Sequence, residues 1–350
     1  MHINSLRLLN FRSHCDFQIS DIKPFVQIIG PNGSGKTNIL ESISLLSPGR
    51  GFHGRQFDEM LSTHQNIYKE WSVSAELSND VNIVTGATIT NGHVKRVSYI
   101  DGEKVRKQWD LLQAIRVIWL TPQMDDLFIA PSVNRRKFID RITYTFQPEH
   151  ANNIAKYEHF MRSRLKLLLD GRYDQIWLQQ MERKMADYAY TIFNARSQVI
   201  QIMQDILKQE QSLFISPDIR LTDCAEIDIE KINQTLYDNR ILDAKKGRTH
   251  YGPHKTDLIT THPIKQRPAV QCSTGEQKAM LIAIIIAQAR GINQQCHHAP
   301  IVLLDEVFTH LDRLVQKNLL DALHSFEAQT WMTATEHDCQ MEQETVITLK

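Results

Sequence analysis

The sequence is poor in cysteine, and its few cysteines are scattered. Five occur in 350 residues, and none forms a Cys-x-x-Cys pair. An odd number at irregular spacing argues against a disulfide framework and gives no zinc-binding pattern, so we expect reduced thiols. The cysteines are Cys15, Cys224, Cys272, Cys296 and Cys339.

Long apolar runs are also missing. The longest is Met280–Ala287 (MLIAIIIA), which is far shorter than the roughly 20 residues of a membrane span and predicts a buried helix. The first seven residues lack the apolar core of a signal peptide. We therefore expect a cytoplasmic protein without a membrane segment.

The chain has no excess of charge of either sign. Lys and Arg number 40, Asp and Glu number 40, and the formal net charge is +0. A protein that bound DNA through a global positive field would be more basic. Any contact with nucleic acid must therefore use local patches or a surface formed by oligomerisation. Hydrophobic residues make up 42% of the chain, which is ordinary for a globular protein.

Hydrophobic periodicity predicts an α/β protein with an inserted helical lobe. Residues 1–130 read mostly as strands with a β-meander, and form the N-terminal half of the main domain. Residues 131–245 follow a helical pattern without sustained heptads, which argues against a long coiled coil. Residues 246–350 return to strands and form the C-terminal half.

A glycine-rich segment follows the apolar strand Phe25–Ile29 and precedes a helical pattern that begins near Asn38. Glycines let the backbone wrap a phosphate chain, and the following helix N-terminus favours an anion. This strand–loop–helix context is that of a P-loop for a nucleotide triphosphate. The lysine would reach the β- and γ-phosphates, and the threonine hydroxyl would bind Mg²⁺. The predicted nucleotide-binding residues are Gly30, Pro31, Asn32, Gly33, Ser34, Gly35, Lys36, Thr37 and Asn38.

A second acidic element lies far along the chain. The run Ile301–Leu304 predicts a strand buried on both faces and ends at Asp305 and Glu306. Because parallel strands bring their carboxyl ends to one edge of a sheet, we expect Asp305 beside the P-loop as a magnesium ligand. Glu306 is the candidate general base for the attacking water, and Lys36 its catalytic partner. Gln123, after the apolar strand ending at Leu120, is a further candidate metal ligand, although Pro122-Gln123 also fits a plain turn.

A third element opens the apolar helix that contains Met280. Ser273-Thr274-Gly275-Glu276-Gln277-Lys278 predicts a helix N-terminus that can hold an anion. A simple P-loop enzyme has no use for it, whereas a head-to-tail dimer would place Ser273, Gly275 and Gln277 against the nucleotide of a second copy. A plain capped helix is the alternative.

These motifs, in this order, resemble the ABC-type ATPase heads of the SMC and Rad50 group, and more narrowly the RecF family. The resemblance runs nearly end to end. It is carried by Leu6–Arg12, Thr37–Ser42, Arg135–Arg141, Gly247–Thr249, Gly252–Leu258, Leu304–Glu306 and His310–Asp312. The sequence departs from the family pattern at Glu276, and either Thr335 or His337 fills the position of the switch histidine.

The resemblance implies a weak, DNA-dependent ATPase of recombinational repair and replication, with ATP and Mg²⁺ as cofactors. It implies an ATP-induced homodimer on duplex, gapped or single-stranded DNA. It also implies RecR and possibly RecO as partners, with roles in RecA loading and the SOS response.

Two basic clusters are candidate DNA-binding surfaces, because phosphate contacts give affinity without sequence preference. The alternative for each residue is a solvated helix face or a structural ion pair. The candidates are Arg135, Arg136, Lys137, Arg141, Lys245, Lys246 and Arg248.

Two other functions remain open from the sequence. A soluble ABC subunit that drives a transporter would share the three ATPase motifs, but has no use for the Gly252-Pro253-His254 segment or the helical lobe. A P-loop kinase would have no use for the serine–glycine helix start.

Overall fold

The computed structural model describes residues 1–62, 70–90, 93–171, 174–209, 214–222, 228–308, 311, 313–334 and 344–349. The chain divides into two compact units. The first contains residues 1–125, 210–215 and 273–350, and the second contains residues 126–209 and 216–272. The sequence predicted that residues 246–272 belong to the C-terminal half, but they lie in the second unit. Asp257 accepts from Arg135 there, and the strand Leu258–Thr261 pairs with the strand Asp218–Leu221.

The described residues include 13 strands and nine α-helices. The strands are β1 (Ile3–Phe11), β2 (His14–Ile19), β3 (Phe25–Ile29), β4 (Glu70–Leu77), β5 (Asn82–Thr90), β6 (His93–Ile100), β7 (Glu103–Lys104), β8 (Val117–Leu120), β9 (Asp218–Leu221), β10 (Leu258–Thr261), β11 (Ile301–Leu304), β12 (Thr330–Ala334) and β13 (Glu344–Thr348). The α-helices are α1 (Lys36–Ser44), α2 (Leu111–Ala114), α3 (Ser132–Phe146), α4 (His150–Asp170), α5 (Gln175–Gln209), α6 (Ile229–Asp238), α7 (Arg240–Lys246), α8 (Thr274–Cys296) and α9 (Arg313–Ser325).

The first unit contains an antiparallel sheet in the order β2-β1-β4-β5-β6-β7. Its strands alternate as expected for a sheet with one buried face: Trp71, Val73, Ala75 and Leu77 of β4 are buried, and the residues between them are more exposed. Strand β2 lies at the edge and has no buried residue.

The second sheet of the first unit is parallel, in the order β13-β3-β12-β11-β8. Strands β8, β11 and β12 are buried along their whole length, as expected when both faces of a parallel sheet are covered. The strand that leads into the P-loop, β3, is separated from β11 only by β12. The carboxyl ends of these three strands therefore share one edge, which confirms the arrangement expected from the sequence.

The second unit is built on the helices α3 to α7 and the two-stranded sheet β9-β10. A buried ionic group joins four of the helices: Arg164 donates to Glu182, to Asp243 and to the Leu236 carbonyl, and Arg240 also donates to Glu182. Such buried charges are tolerated because each one has a partner. None of the described helices combines the length and the apolar character needed to cross a bilayer.

Candidate nucleotide site

The P-loop joins β3 to α1 and has the backbone that its glycines permit. Gly33 and Gly35 adopt φ angles of 85° and 95°, which favour glycine because other residues are strained there. A Cβ added to Gly30 would lie 2.6 Å from the Leu349 carbonyl oxygen, and one on Gly35 would overlap the Ser13 hydroxyl oxygen. The close approach of the Leu349 backbone therefore also requires glycine at position 30, whereas at position 35 the nearest atoms belong to side chains.

Lys36 lies at the centre of the loop. Its side chain is buried, and Nζ donates to the carbonyl oxygens of Gly30 at 2.6 Å and Pro31 at 3.1 Å. Asn38 donates from Nδ2 to the Ser13 hydroxyl at 2.8 Å. Pro31, Asn32 and Gly33 are exposed and Ser34 is half-buried. The first part of the loop is therefore open to solvent, whereas Lys36 is buried.

The structure brings Thr37 and Asp305 together, although 268 residues separate them. Thr37 Oγ1 donates to Asp305 Oδ1 at 3.0 Å, and Thr333 Oγ1 donates to the same oxygen at 2.9 Å. Asp305 is buried. A hydroxyl and a carboxylate form the hard oxygen donor set that Mg²⁺ prefers, so these residues fit the predicted ion.

Glu306 follows directly and differs from Asp305 in exposure. It is exposed and adopts a left-handed φ of 48°, which is uncommon for a residue with a side chain. Its backbone N–H donates to Thr333 Oγ1 at 2.9 Å. The carboxylate is thus available to solvent at the same sheet edge as the P-loop.

Gln123 lies near the site and has a different contact. Its Nε2 donates to Nδ1 of His53 at 3.2 Å, and the side chain is exposed. The pKa of His53 is lowered mainly by burial, while the charges of Glu41 and Asp305 act in the opposite direction. The carboxylates of Glu41 and Asp305 therefore act electrostatically on the His53 ring. The hydrogen bond holds Gln123 beside that ring.

The turn between β1 and β2 also lies against the P-loop and α1, and the sequence motifs assign its residues no role in the site. The Arg12 guanidinium donates to both carboxylate oxygens of Glu41 on α1, at 2.9 and 3.0 Å. His14 donates from Nε2 to the Gly35 carbonyl at 3.2 Å, and burial lowers its pKa. Two signals were available in the sequence: Arg12 ends a segment that carries the family resemblance, and both residues follow the first predicted strand.

The helix start at Ser273 is a capping box. The Ser273 hydroxyl accepts from the Glu276 N–H, and the Glu276 carboxylate accepts from the Ser273 N–H at 2.9 Å. Glu276, the departure from the family pattern, thus stabilises the helix N-terminus. Ser273 and Gly275 are exposed, whereas Gln277 is buried. Gln277 is therefore poorly placed for the predicted contact with a second copy.

Comparison with known proteins decides the family. The model of the RecF/RecN/SMC N-terminal domain matches residues 2–350. The chain is 36% identical over 342 residues to the DNA replication and repair protein RecF of Rickettsia akari (strain Hartford), covering 95% of this chain and 94% of the relative. It is 35% identical over 349 residues to the protein of the same description from Mesorhizobium japonicum, covering 96% and 92%.

The chain belongs to the RecF/RecN/SMC family.

Solved structures show the same fold. A structure of the recombination mediator protein RecF with ATPrS, in the RecFOR pathway, has a TM-score of 0.86 at 20% identity and covers 100% of this chain and 96% of that chain. An SMC head bound to the C-terminal winged-helix domain of ScpA has a TM-score of 0.52 at 15% identity, covering 100% and 90%. The predicted ABC-type ATPase head fold is confirmed, and so is the resemblance to RecF.

The structure divides the candidate DNA-binding residues of this RecF-like chain into two groups. The Arg135 and Arg136 guanidiniums bond within the second unit, to Asp257 and to the Thr256 carbonyl respectively. Arg141 lies over the Phe138 ring, and burial lowers its pKa to about 10. These contacts favour the structural alternative for the three arginines. The exposed candidates are Lys137, Lys245, Lys246 and Arg248.

Some predicted motif positions lie outside the described residues. They are His310 and Asp312 of the segment after the Asp-Glu strand, and Thr335 and His337, the two candidates for the switch histidine.

Proposed function

We propose that this RecF-family chain is an ATP-dependent DNA-binding protein of recombinational repair and replication. The main support for ATP binding is the hydrogen bond between Thr37 and Asp305 at the carboxyl edge of the parallel sheet. It places a hydroxyl and a carboxylate together beside the P-loop, where a nucleotide triphosphate with its metal ion would lie.

ATP would bind through the P-loop backbone and Lys36. The lysine would exchange the carbonyl oxygens of Gly30 and Pro31 for the β- and γ-phosphates. Thr37 and Asp305 would hold Mg²⁺, which supplies neutralisation of phosphate charge when bound. Gln123 could join them by leaving His53. Glu306, exposed at this edge, would accept a proton from the attacking water, and we expect slow hydrolysis that acts as a switch.

The ATP-bound form would be a head-to-tail homodimer. Ser273 and Gly275 are exposed at the N-terminus of the long helix α8. A helix N-terminus presents unpaired N–H groups to an anion, so this end suits the γ-phosphate of a second copy. The space around Gly275 is open, with nothing within 4 Å of a Cβ built there, which leaves room for that approach.

DNA would bind through its phosphates. Lys137, Lys245, Lys246 and Arg248 supply exposed positive charge on a chain with zero net charge. Contacts of this kind carry no sequence preference, so duplex, gapped and single-stranded DNA are all candidates. By family membership, we extend the proposal to RecR and possibly RecO as partners in the cytoplasm, to RecA loading and to the SOS response.

Two measurements test the proposal together. Lys36→Met removes the ammonium group, and we expect it to abolish ATP binding in an equilibrium titration with a fluorescent ATP analogue. Titration of a fluorescent gapped duplex should show affinity that falls steeply as salt rises. A wild-type protein that binds ATP but shows no DNA binding at low salt would contradict the DNA-binding part of the proposal.

A further inference from the structure

Thr333 of β12 contacts both acidic residues of the candidate site through one hydroxyl. Thr333 Oγ1 donates to Asp305 Oδ1 at 2.9 Å and accepts from the Glu306 backbone N–H at 2.9 Å. A threonine hydroxyl has one hydrogen to donate and lone pairs to accept, so both bonds form at the same time. The residue is only 4% exposed.

A buried hydroxyl in a strand core is costly unless it is bonded. The two bonds to the acidic residues therefore explain why a polar side chain is stable at this position. All five residues of β12 are buried, and an apolar residue at this position would make neither of the two hydrogen bonds. The strand lies between β3, which leads into the P-loop, and β11, which ends at Asp305. Thr333 is thus on the strand that separates the two halves of the site.

Glu306 supplies the second part of the argument. Its left-handed φ of 48° is a conformation that side-chain-bearing residues adopt at a cost. The bond from its N–H to Thr333 helps to hold that conformation and so fixes the direction in which the carboxylate leaves the backbone. Asp305 has a second donor in Thr37, but a metal ion would compete for the Thr37 hydroxyl. Thr333 would then remain as the donor that orients Asp305.

We propose that Thr333 is a positioning residue, which orients the Asp305 carboxylate and the Glu306 backbone together for ATP hydrolysis. This inference rests on the proposed ATPase function and deepens it. Because Thr333 acts through two other residues, its loss should reduce the rate of hydrolysis much more than it reduces nucleotide affinity.

The test compares Thr333→Val, which keeps the shape and removes the hydroxyl, with Thr333→Ser, which restores the hydroxyl. For Thr333→Val we expect kcat to fall about tenfold or more, as for other groups that position charge in a transition state. We expect the Kd for ATP to change less than about threefold, since Lys36 and the P-loop are untouched. Thr333→Ser should recover most of the wild-type kcat.

The matched control is Thr330→Val, on the same strand. Thr330 is also buried, and its hydroxyl bonds the Ala328 carbonyl at 3.4 Å, away from the acidic pair. This variant should keep the wild-type kcat and Kd. If Thr330→Val and Thr333→Val lowered kcat equally, the effect would be a general one on β12, and the proposal would be overturned.

A measurement without nucleotide gives an independent readout. Hydrogen exchange of the peptide that contains Glu306 should speed up in Thr333→Val and stay slow in Thr333→Ser, because the Glu306 N–H loses its acceptor only in the first. Wild-type exchange and kcat in Thr333→Val would overturn the inference while leaving the proposed function intact. A wild-type protein that neither binds nor hydrolyses ATP would instead contradict the proposed function itself.

Discussion

The Arg135 guanidinium forms a bidentate ion pair with the Asp257 carboxylate. Nε lies 2.8 Å from Oδ1 and Nη2 lies 2.7 Å from Oδ2, while Nη1 donates to the Ala130 carbonyl at 2.6 Å. The arginine comes from the basic helix α3, and the aspartate comes from the Gly-Pro-His segment. Two of the segments that carry the resemblance to the RecF family, Arg135–Arg141 and Gly252–Leu258, therefore bond each other within the second unit.

Arg135→Gln should destabilise the protein, because it leaves Asp257 without its bidentate partner. We expect the free energy of unfolding of the second unit to fall by about 3 kcal/mol, as for other broken pairs with little exposure. Urea unfolding followed by circular dichroism would measure it. Lys137→Gln, two residues along the same helix and exposed, is the control and should leave the midpoint unchanged; equal losses would contradict the structural role of Arg135.

Ser273→Arg should prevent ATP-induced dimerisation while nucleotide binding by the monomer stays nearly intact. The long cation would occupy the space that the second copy's phosphates need, whereas the P-loop is unchanged. Sedimentation velocity with and without ATP would measure the dimer. Glu276→Gln adds no bulk and keeps an oxygen that can accept from the Ser273 N–H, so this variant should still dimerise. Dimerisation of Ser273→Arg at wild-type ATP concentrations would show that this helix start lies outside the interface.

Replacing the second basic cluster with neutral residues should weaken DNA binding and make the affinity depend less on salt concentration. The cluster consists of Lys245, Lys246 and Arg248. Each phosphate contact contributes about 0.9 to the slope of log affinity against log salt concentration for duplex DNA. The triple glutamine variant should therefore lower the magnitude of that slope by about 2 to 3. Fluorescence anisotropy at several salt concentrations would measure it. An unchanged slope would remove this cluster from the proposed DNA surface.

His14 should make the protein less stable as the pH falls. Burial lowers its pKa in the folded state, so the unfolded chain takes up a proton at a higher pH than the folded chain does. Stability is then lost as the pH falls below about 6.5, the ordinary value. Between about pH 7.5 and 5.5, the Tm of the wild type should fall more steeply than that of His14→Gln, whose amide can still donate to Gly35. Parallel Tm curves would contradict this account of His14.

The central elements of the site could be predicted because local rules determine them. The strand Phe25–Ile29 is observed with the predicted bounds, and so is Ile301–Leu304. Their apolar runs stop where the polar loop residues begin. The pairing of Thr37 with Asp305 followed from the rule that parallel strands share a carboxyl edge.

Other features depend on contacts that no local pattern records. Strand β2 lies at a sheet edge without a fully buried residue, and only Phe17 and Ile19 of this strand pack against the core, so its apolar signal is short. From the sequence alone, Arg135 is a candidate DNA-binding arginine. In the structure it is paired with Asp257, which lies 122 residues away along the chain. Thr333 likewise reads as an ordinary strand residue, because its role depends on the bonds it makes with the end of β11.

The most direct test of the whole account is the mass of Glu306→Gln by multi-angle light scattering, with ATP and with or without gapped duplex. Loss of the carboxylate should slow hydrolysis and leave ATP binding unchanged, so the ATP-bound dimer should accumulate. We predict that the mass doubles on addition of ATP, and that gapped DNA lowers the ATP concentration required, since coupling between two ligands is reciprocal. A variant that binds ATP and stays monomeric at all ATP concentrations, with or without DNA, would contradict the account.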